Sequence, residues 1–254
     1  MPQPSIPPSI ELAWGLREPG SRGPKRGLTL EAIVAAGIHA ALSDGLQSLS
    51  MGRVAKELGV GTMSLYRYVA SKDELLTLMV DAALGPPADS PQAGQSWRNG
   101  MTQWAVSLLE AYRRHPWALK VPINAPPLGP NNVAWLEWAL RSMAQTPLSE
   151  QQKLSSVLLI SGFVRNDATL TADFAAGRQG ETVIPGYGAL LSQVIEPSRF
   201  PALERAIASG ALDDEDDPDR EFRFGLERVL DGIELLIGQT DTAGRRPSPW
   251  GRRP

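Results

Sequence analysis

The chain predicts an all-α fold, on three observations. Apolar residues recur at three- and four-residue steps along most of its 254 residues. Helix-start residues precede several of these runs, and glycine or proline follows them. No stretch alternates long enough to make a sheet strand, since Val183-Ile184 and Ile123 stand isolated.

The elements follow in order. Residues 1–28 are rich in Pro, Gly and Ser without periodicity, and read as a disordered or loosely ordered arm. Thr29 is an N-cap candidate, with Glu31 in the first turn. Leu30, Ile33, Val34, Gly37, Ile38 and Ala41 then follow helical spacing up to Gly45. A short helix starts after Ser50 and runs to Leu58, Gly59 breaks it, and a third runs from about Gly61 to Tyr68. Ser71-Lys72-Asp73-Glu74 is a capping box that opens a longer helix ending before Gly85-Pro86-Pro87. Residues 85–95 are a linker by composition. A second region starts at Ser96, where Trp97, Met101, Trp104, Ala105, Leu108 and Leu109 share one helical face. His115-Pro116-Trp117 ends it, and residues 122–130 form a proline-rich loop. Helices are expected from Asn132 to Ala144, from the box at Ser149 to about Phe174, near Ala202 to Ser209, and from Arg220 to Ile237. Residues 177–197 are left undefined. The resulting units are an arm (1–28), a head with its connecting helix (29–84), a larger helical region (96–240) and an Arg-rich flexible tail (241–254).

Composition removes several function classes. With no cysteine, disulfides, thiolate chemistry, iron–sulfur clusters and Cys-ligated zinc are excluded. The two histidines, His39 and His115, form no HExxH pair, so no metal and no cofactor is predicted. There is no GxSxG and no Walker A, and Gly59-Val60-Gly61 lacks the third glycine and the strand of a dinucleotide loop. An enzyme is therefore not expected. The acids from Asp213 to Asp219 lack calcium-loop spacing and read as a solvated loop. Apolar runs such as Val157 to Ile160 are too short for a bilayer, and MPQPSIPPS lacks the order of a signal peptide. No membrane partner is expected, and the location is read as cytoplasmic.

Net charge is −3, which alone argues mildly against a nucleic-acid partner. Its distribution differs: Arg22, Lys25 and Arg26 cluster without an acid, as do Arg245, Arg246, Arg252 and Arg253. The arm cluster suits a minor groove or phosphates, against the plainer reading of a solvated tail.

The informative segment is Ser50 to Val69. Two short helices joined by a tight turn need a small residue where they cross, which Ala55 supplies. They need a turn residue free to take positive φ, which Gly59 supplies. They need apolar inner faces, which Val54, Leu58, Val60 and Leu65 supply. This is the helix-turn-helix pattern, whose second helix enters the major groove of double-stranded DNA.

Residues 29 to about 84 resemble the DNA-binding domain of the tetracycline-repressor (TetR) family. The resemblance is carried by Ala55-Lys56-Glu57-Leu58-Gly59-Val60, Ser64-Leu65-Tyr66-Arg67-Tyr68-Val69 and Lys72-Asp73-Glu74-Leu75-Leu76. Further on, Trp97, Arg114-His115-Pro116-Trp117, Leu128-Gly129-Pro130-Asn131, Phe224-Gly225-Leu226 and Leu230-Asp231-Gly232 are similar to the C-terminal domain of the tetracycline-repressor subgroup. The likeness covers roughly residues 29–240, without the arm and the tail.

The resemblance implies that the third helix is the recognition helix. Gly61, Thr62, Met63 and Ser64 would then meet base edges, with Met63 suited to a thymine methyl. Tyr66, Arg67 and Lys72 would meet phosphates, and the amide after Ser50 offers another such site. Tyr68 divides between core and DNA. Trp104, His115, Trp135, Trp138 and Asn166 are candidates for an effector pocket, against core packing for each Trp and a structural role for His115. Phe222, Leu226, Val229, Ile233 and Leu236 follow a coiled-coil-like seam, which fits an intramolecular bundle equally. The resemblance implies instead that this helix, with Leu154 and Leu158 on the helix from Ser149, pairs with its copy in a homodimer. The function implied is a repressor released from a palindromic operator by a small-molecule effector. The alternatives are an activator, a ligand-independent regulator, or a small-molecule-binding protein with a vestigial DNA-binding domain.

Overall fold

A computed structural model describes residues 6–17, 28–88, 94–124, 126–177, 186–212, 217 and 219–244. Arg22, Lys25, Arg26, linker residues 89–93, Val183-Ile184, Asp213 to Asp216 and the tail from Arg245 lie outside the described residues. Every regular element among the described residues is helical, as the sequence predicts.

The first element is α1, Pro8–Ala13, within the segment expected to be a disordered arm. That expectation is corrected for residues 8–13: Pro8 sits in the first turn, where its missing N–H costs nothing, and Ile10 is buried in the head's core. Six residues are too few to reveal a helical period. The buried Ser9 hydroxyl donates to the Glu74 carboxylate.

The head continues with α2 (Leu30–Asp44), α3 (Met51–Glu57), α4 (Thr62–Leu65) and α5 (Lys72–Leu84). Three of these starts are closed by hydroxyls at the N-cap: Thr29 accepts from the Ala32 amide at 3.1 Å, Ser50 from Arg53 at 3.1 Å and Ser71 from Glu74 at 3.1 Å. Gly59 has φ +64° in the turn between α3 and α4, a conformation that favours glycine. The third helix is shorter than expected, since Tyr66 to Tyr68 leave the regular helix as a turn. Ile33, Val54, Ala55, Leu65, Val69, Leu75 and Met79 interlock beneath it. Each fully buried Leu or Ile there contributes about 2 kcal/mol by its apolar transfer.

The second cluster is built by α6 (Trp97–Arg114), α7 (Pro130–Ser142), α8 (Glu150–Gly177) and α11 (Arg220–Gly244). A 3-10 turn, Pro116–Lys120, follows α6. Ser149 and Gln152 cap α8 reciprocally: Ser149 Oγ accepts from the Gln152 amide, and Gln152 Oε1 from the Ser149 amide. Between α8 and α11 lie α9 (Tyr187–Val194), which the sequence left undefined, and α10 (Pro201–Ala208). Met101, Trp104, Trp138, Met143, Ile160, Val164 and Leu230 fill this core.

The seam on α11 is corrected here. Phe222, Leu226 and Ile233 are buried within their own chain, and Phe222 stacks on Phe163 of α8 at 5.5 Å. Val229 and Leu236 are half-buried against the same core. Periodicity marks an apolar stripe without naming what covers it, and α8 covers this one. Leu154 and Leu158 face outward, Leu158 with 73% exposure.

Candidate nucleic-acid interface

The short α4 is held by what it buries. Leu65 and Val69 have no exposed surface, and they turn the opposite side of the segment outward. On that side Gly61 and Met63 are exposed, Met63 at 76%, while Thr62 and Ser64 are half-buried. Tyr66, Arg67, Lys72 and Ser50 are also exposed. The arrangement offers small hydroxyl-bearing groups and one flexible thioether at the tip, with a phenol and two cations beside it. Such a set suits base edges at the centre and phosphates at the rim. Gly52 and Gly61 have open space above Cα, so the surface is shallow at both positions.

Tyr68 is the exception among the predicted contacts. It is buried in the head's core, and its hydroxyl donates to the Leu28 carbonyl at 3.0 Å. It ties the chain entering α2 to the turn that leaves α4, and its place as a DNA contact is corrected. Arg53 is likewise engaged within the head. It bonds Asp44 at 2.9 Å and Glu57 at 2.7 Å, and Glu57 also meets His39 at 2.7 Å.

The predicted effector residues divide. Trp104, Trp135 and Trp138 are all buried, and the Trp135 and Trp138 rings lie 5.4 Å apart. Trp104 Nε1 donates to the Trp135 carbonyl at 2.8 Å, and Trp135 Nε1 to the Gly85 carbonyl at 3.0 Å. By contrast Trp138 Nε1, Trp117 Nε1 and His115 Nδ1 are buried polar atoms with no hydrogen-bond partner. His115 sits at the C-cap of α6, edge-on to Trp117. Burial, with the adjacent Arg114 charge second, pushes its pKa below the ordinary value. Asn166 is exposed, out of register with the buried Ile160, Val164 and Ala168, so its place in a pocket is corrected. Its neighbour Arg165 turns inward, donating to the Leu119 and Val121 carbonyls and lying over the Tyr112 ring.

Sequence reasoning missed Asp81, a buried carboxylate on α5 that accepts from the Asn131 and Asn132 amides of α7. A signal existed: Asp81 is a lone acid among Leu78, Met79, Ala83 and Leu84. No group of His, Asp or Glu able to hold a metal occurs among the described residues, and no described helix is long and apolar enough to cross a membrane.

Comparison with known proteins meets this geometry. Residues 28–79 match the family model of bacterial regulatory proteins of the tetR family, and residues 90–237 match the tetracyclin repressor-like C-terminal domain. The chain is 39% identical over 240 residues to the HTH-type transcriptional repressor DrrR1 of Streptomyces coeruleorubidus, covering 91% of this chain and 86% of that one. It is 24% identical over 212 residues to the class D tetracycline repressor protein of Escherichia coli, covering 83% and 91%. Among solved structures, ActR of Streptomyces coelicolor in complex with actinorhodin superposes with a TM-score of 0.68 at 28% identity, over 84% of this chain and 98% of that one. Unliganded ActR gives 0.71 at 26% identity, over 85% and 99%. A helix-turn-helix head and an α-helical core, each matched by its own model, place this chain in the tetR family of bacterial regulatory proteins, as a DNA-binding transcriptional regulator rather than an enzyme.

Proposed function

We propose that the protein is a cytoplasmic repressor that binds a palindromic operator as a homodimer and is released by a small-molecule effector. The observation that carries the reading is the outward set of Met63, Tyr66, Arg67 and Lys72 on a head whose Leu65 and Val69 are fully buried. The head is residues 29–84, and effector binding and dimerisation belong to residues 96–240. Thr62, Met63 and Ser64 read bases, with Gly61 allowing close approach. Tyr66, Arg67, Lys72 and the amides capped by Ser50 hold phosphates.

The homodimer reading is supported by an outward apolar stripe on α8 and α11. It comprises Leu154, Leu158 and Leu159 on α8, with Phe224 and Leu235 on α11. Gly162 and Gly232 lie on the same helices with open space above Cα, which lets a second copy approach closely. A two-fold axis through such a contact would present two heads to symmetric half-sites.

Effector binding is supported by the unpartnered His115, Trp117 and Trp138 nitrogens, and by the ActR relative that holds actinorhodin. Release by a hundredfold requires about 2.7 kcal/mol of coupling between effector and operator sites. Fluorescence anisotropy with DNA flanking the protein's own gene, against scrambled competitor and across a salt series, tests the reading. Tight binding that survives the competitor and falls steeply with salt is the expected result. Equal, weak binding to duplexes from the flanking region and from a genome-wide selection would refute it.

A further inference from the structure

The head and the effector core meet at a joint that has a built chemistry. Asp81 lies one turn before the end of α5 and is only 5% exposed. Its Oδ1 accepts from the Asn132 backbone amide at 2.8 Å and from Asn132 Nδ2 at 2.6 Å. Its Oδ2 accepts from the Asn131 amide at 3.3 Å, and Asn131 Nδ2 donates to the Asp81 carbonyl at 3.1 Å. The N-cap position of α7 is Gly129, which has no side chain to cap the helix. Asp81 therefore does from another helix what an N-cap side chain does locally.

Gly129 fits that role for a steric reason. A Cβ there would fall 2.1 Å from Asp81 Oδ1 and 2.3 Å from its Cγ, so any side chain would expel the carboxylate. Two further bonds surround the joint. Trp135, one turn into α7, donates to the Gly85 carbonyl at the end of α5. Trp14, just past α1, donates through Nε1 to the Leu128 carbonyl at 2.8 Å. At its other end α5 holds the head, where the Glu74 carboxylate receives the Ser9 hydroxyl and the Ala70 amide.

We propose that Asp81 is a positioning residue for DNA recognition: its bonds to the first turn of α7 set where the head sits, and they carry a displacement of α7 into α5. The proposal rests on the operator-binding reading above for its consequence at DNA. The joint itself is testable without DNA. Helix α7 carries Trp135 and Trp138, so a molecule seated against those rings would move the same helix that Asp81 grips. A single rigid helix held at one end by α7 and at the other by the head is a physical route for coupling.

Hydrogen–deuterium exchange on the full chain tests this, using Asp81→Ala, Gly129→Ala and the double variant. Loss of a local cap alone would speed exchange only over residues 130–135. The proposal expects a severalfold rise there and a second rise over residues 50–70, which Asp81 does not contact by any of the bonds above. It also expects the double variant to exchange no faster than Asp81→Ala, because the added methyl then meets no carboxylate. A rise confined to residues 130–135, or strict additivity of the two substitutions, overturns it. If Gly129→Ala does not fold, Asp81→Ala alone decides by the same contrast. In a second arm, a duplex selected by the wild-type protein slows exchange over residues 130–135 in the wild type and not in Asp81→Ala; equal slowing in both overturns the proposal. Failure to select any duplex refutes the operator reading, while the exchange contrast still judges the joint.

Discussion

Tyr66 and Tyr68 stand two residues apart, one exposed and one buried in the head, and a pair of hydroxyl deletions separates the proposed DNA contact from the core bond. Tyr68 donates to the Leu28 carbonyl at 3.0 Å inside the head. Tyr68→Phe removes that bond and leaves the carbonyl without it, a loss of about 1 kcal/mol of stability. For a chain of this size that corresponds to a melting temperature lower by about 2–4 °C. Tyr66 is exposed, so Tyr66→Phe should leave stability within about 0.5 kcal/mol. A lost phosphate bond of about 1 kcal/mol should instead weaken operator binding about fivefold. Thermal unfolding at one fixed protein concentration and anisotropy at one fixed salt concentration measure both quantities on both variants. The reasoning fails if Tyr68→Phe weakens DNA binding fivefold at unchanged melting temperature, or if Tyr66→Phe lowers the melting temperature while binding holds.

Four other outcomes follow from the same structure. Lys72→Ala should weaken binding to specific and scrambled DNA alike and reduce the slope of log affinity against log salt by about one, read from an anisotropy salt series. Leu158→Asp on the outward face of α8 should give monomers in sedimentation velocity with the fold retained by circular dichroism. Leu226→Ala, buried in its own chain, should cost about 2–5 kcal/mol in denaturant unfolding. His115 has a folded pKa below its ordinary 6.5, chiefly through burial. The unfolded chain therefore takes up that proton first, and His115 contributes stability that is present above about pH 6.5 and is lost as pH falls through the folded value. Melting curves between pH 7.5 and 5 should show this slope, and His115→Gln should flatten it.

Local chemistry was legible in the sequence wherever one residue acts on its near neighbours. Thr29, Ser71 and Ser149 cap helices where the sequence places caps, and Ser50 and Ser96 cap the helices that the sequence starts beside them, because a hydroxyl reaches an amide three residues on whatever the rest of the chain does. The turn at Gly59 and the inner faces of α3 and α4 were readable for the same reason. Boundaries moved where local signals were weak: α7 begins at Pro130 rather than Asn132, and α11 runs on to Gly244.

The sequence by itself thus determined the all-helical class, the helix-turn-helix and the outward placement of Met63, Tyr66, Arg67 and Lys72. Tertiary structure decided which partner each apolar stripe meets. Phe222, Leu226 and Ile233 carry the period of a subunit seam and are buried instead against the chain's own helices, because helical spacing fixes a face and not its neighbour. It also decided that Ile10 holds a helix inside a proline-rich segment, that Tyr68 turns inward to Leu28 and that Asn166 turns outward. Asp81 and Gly129 show why: 48 residues apart in sequence, a lone acid and a loop glycine do not name each other as partners until folding brings the carboxylate to within 2.1 Å of where a Cβ would stand.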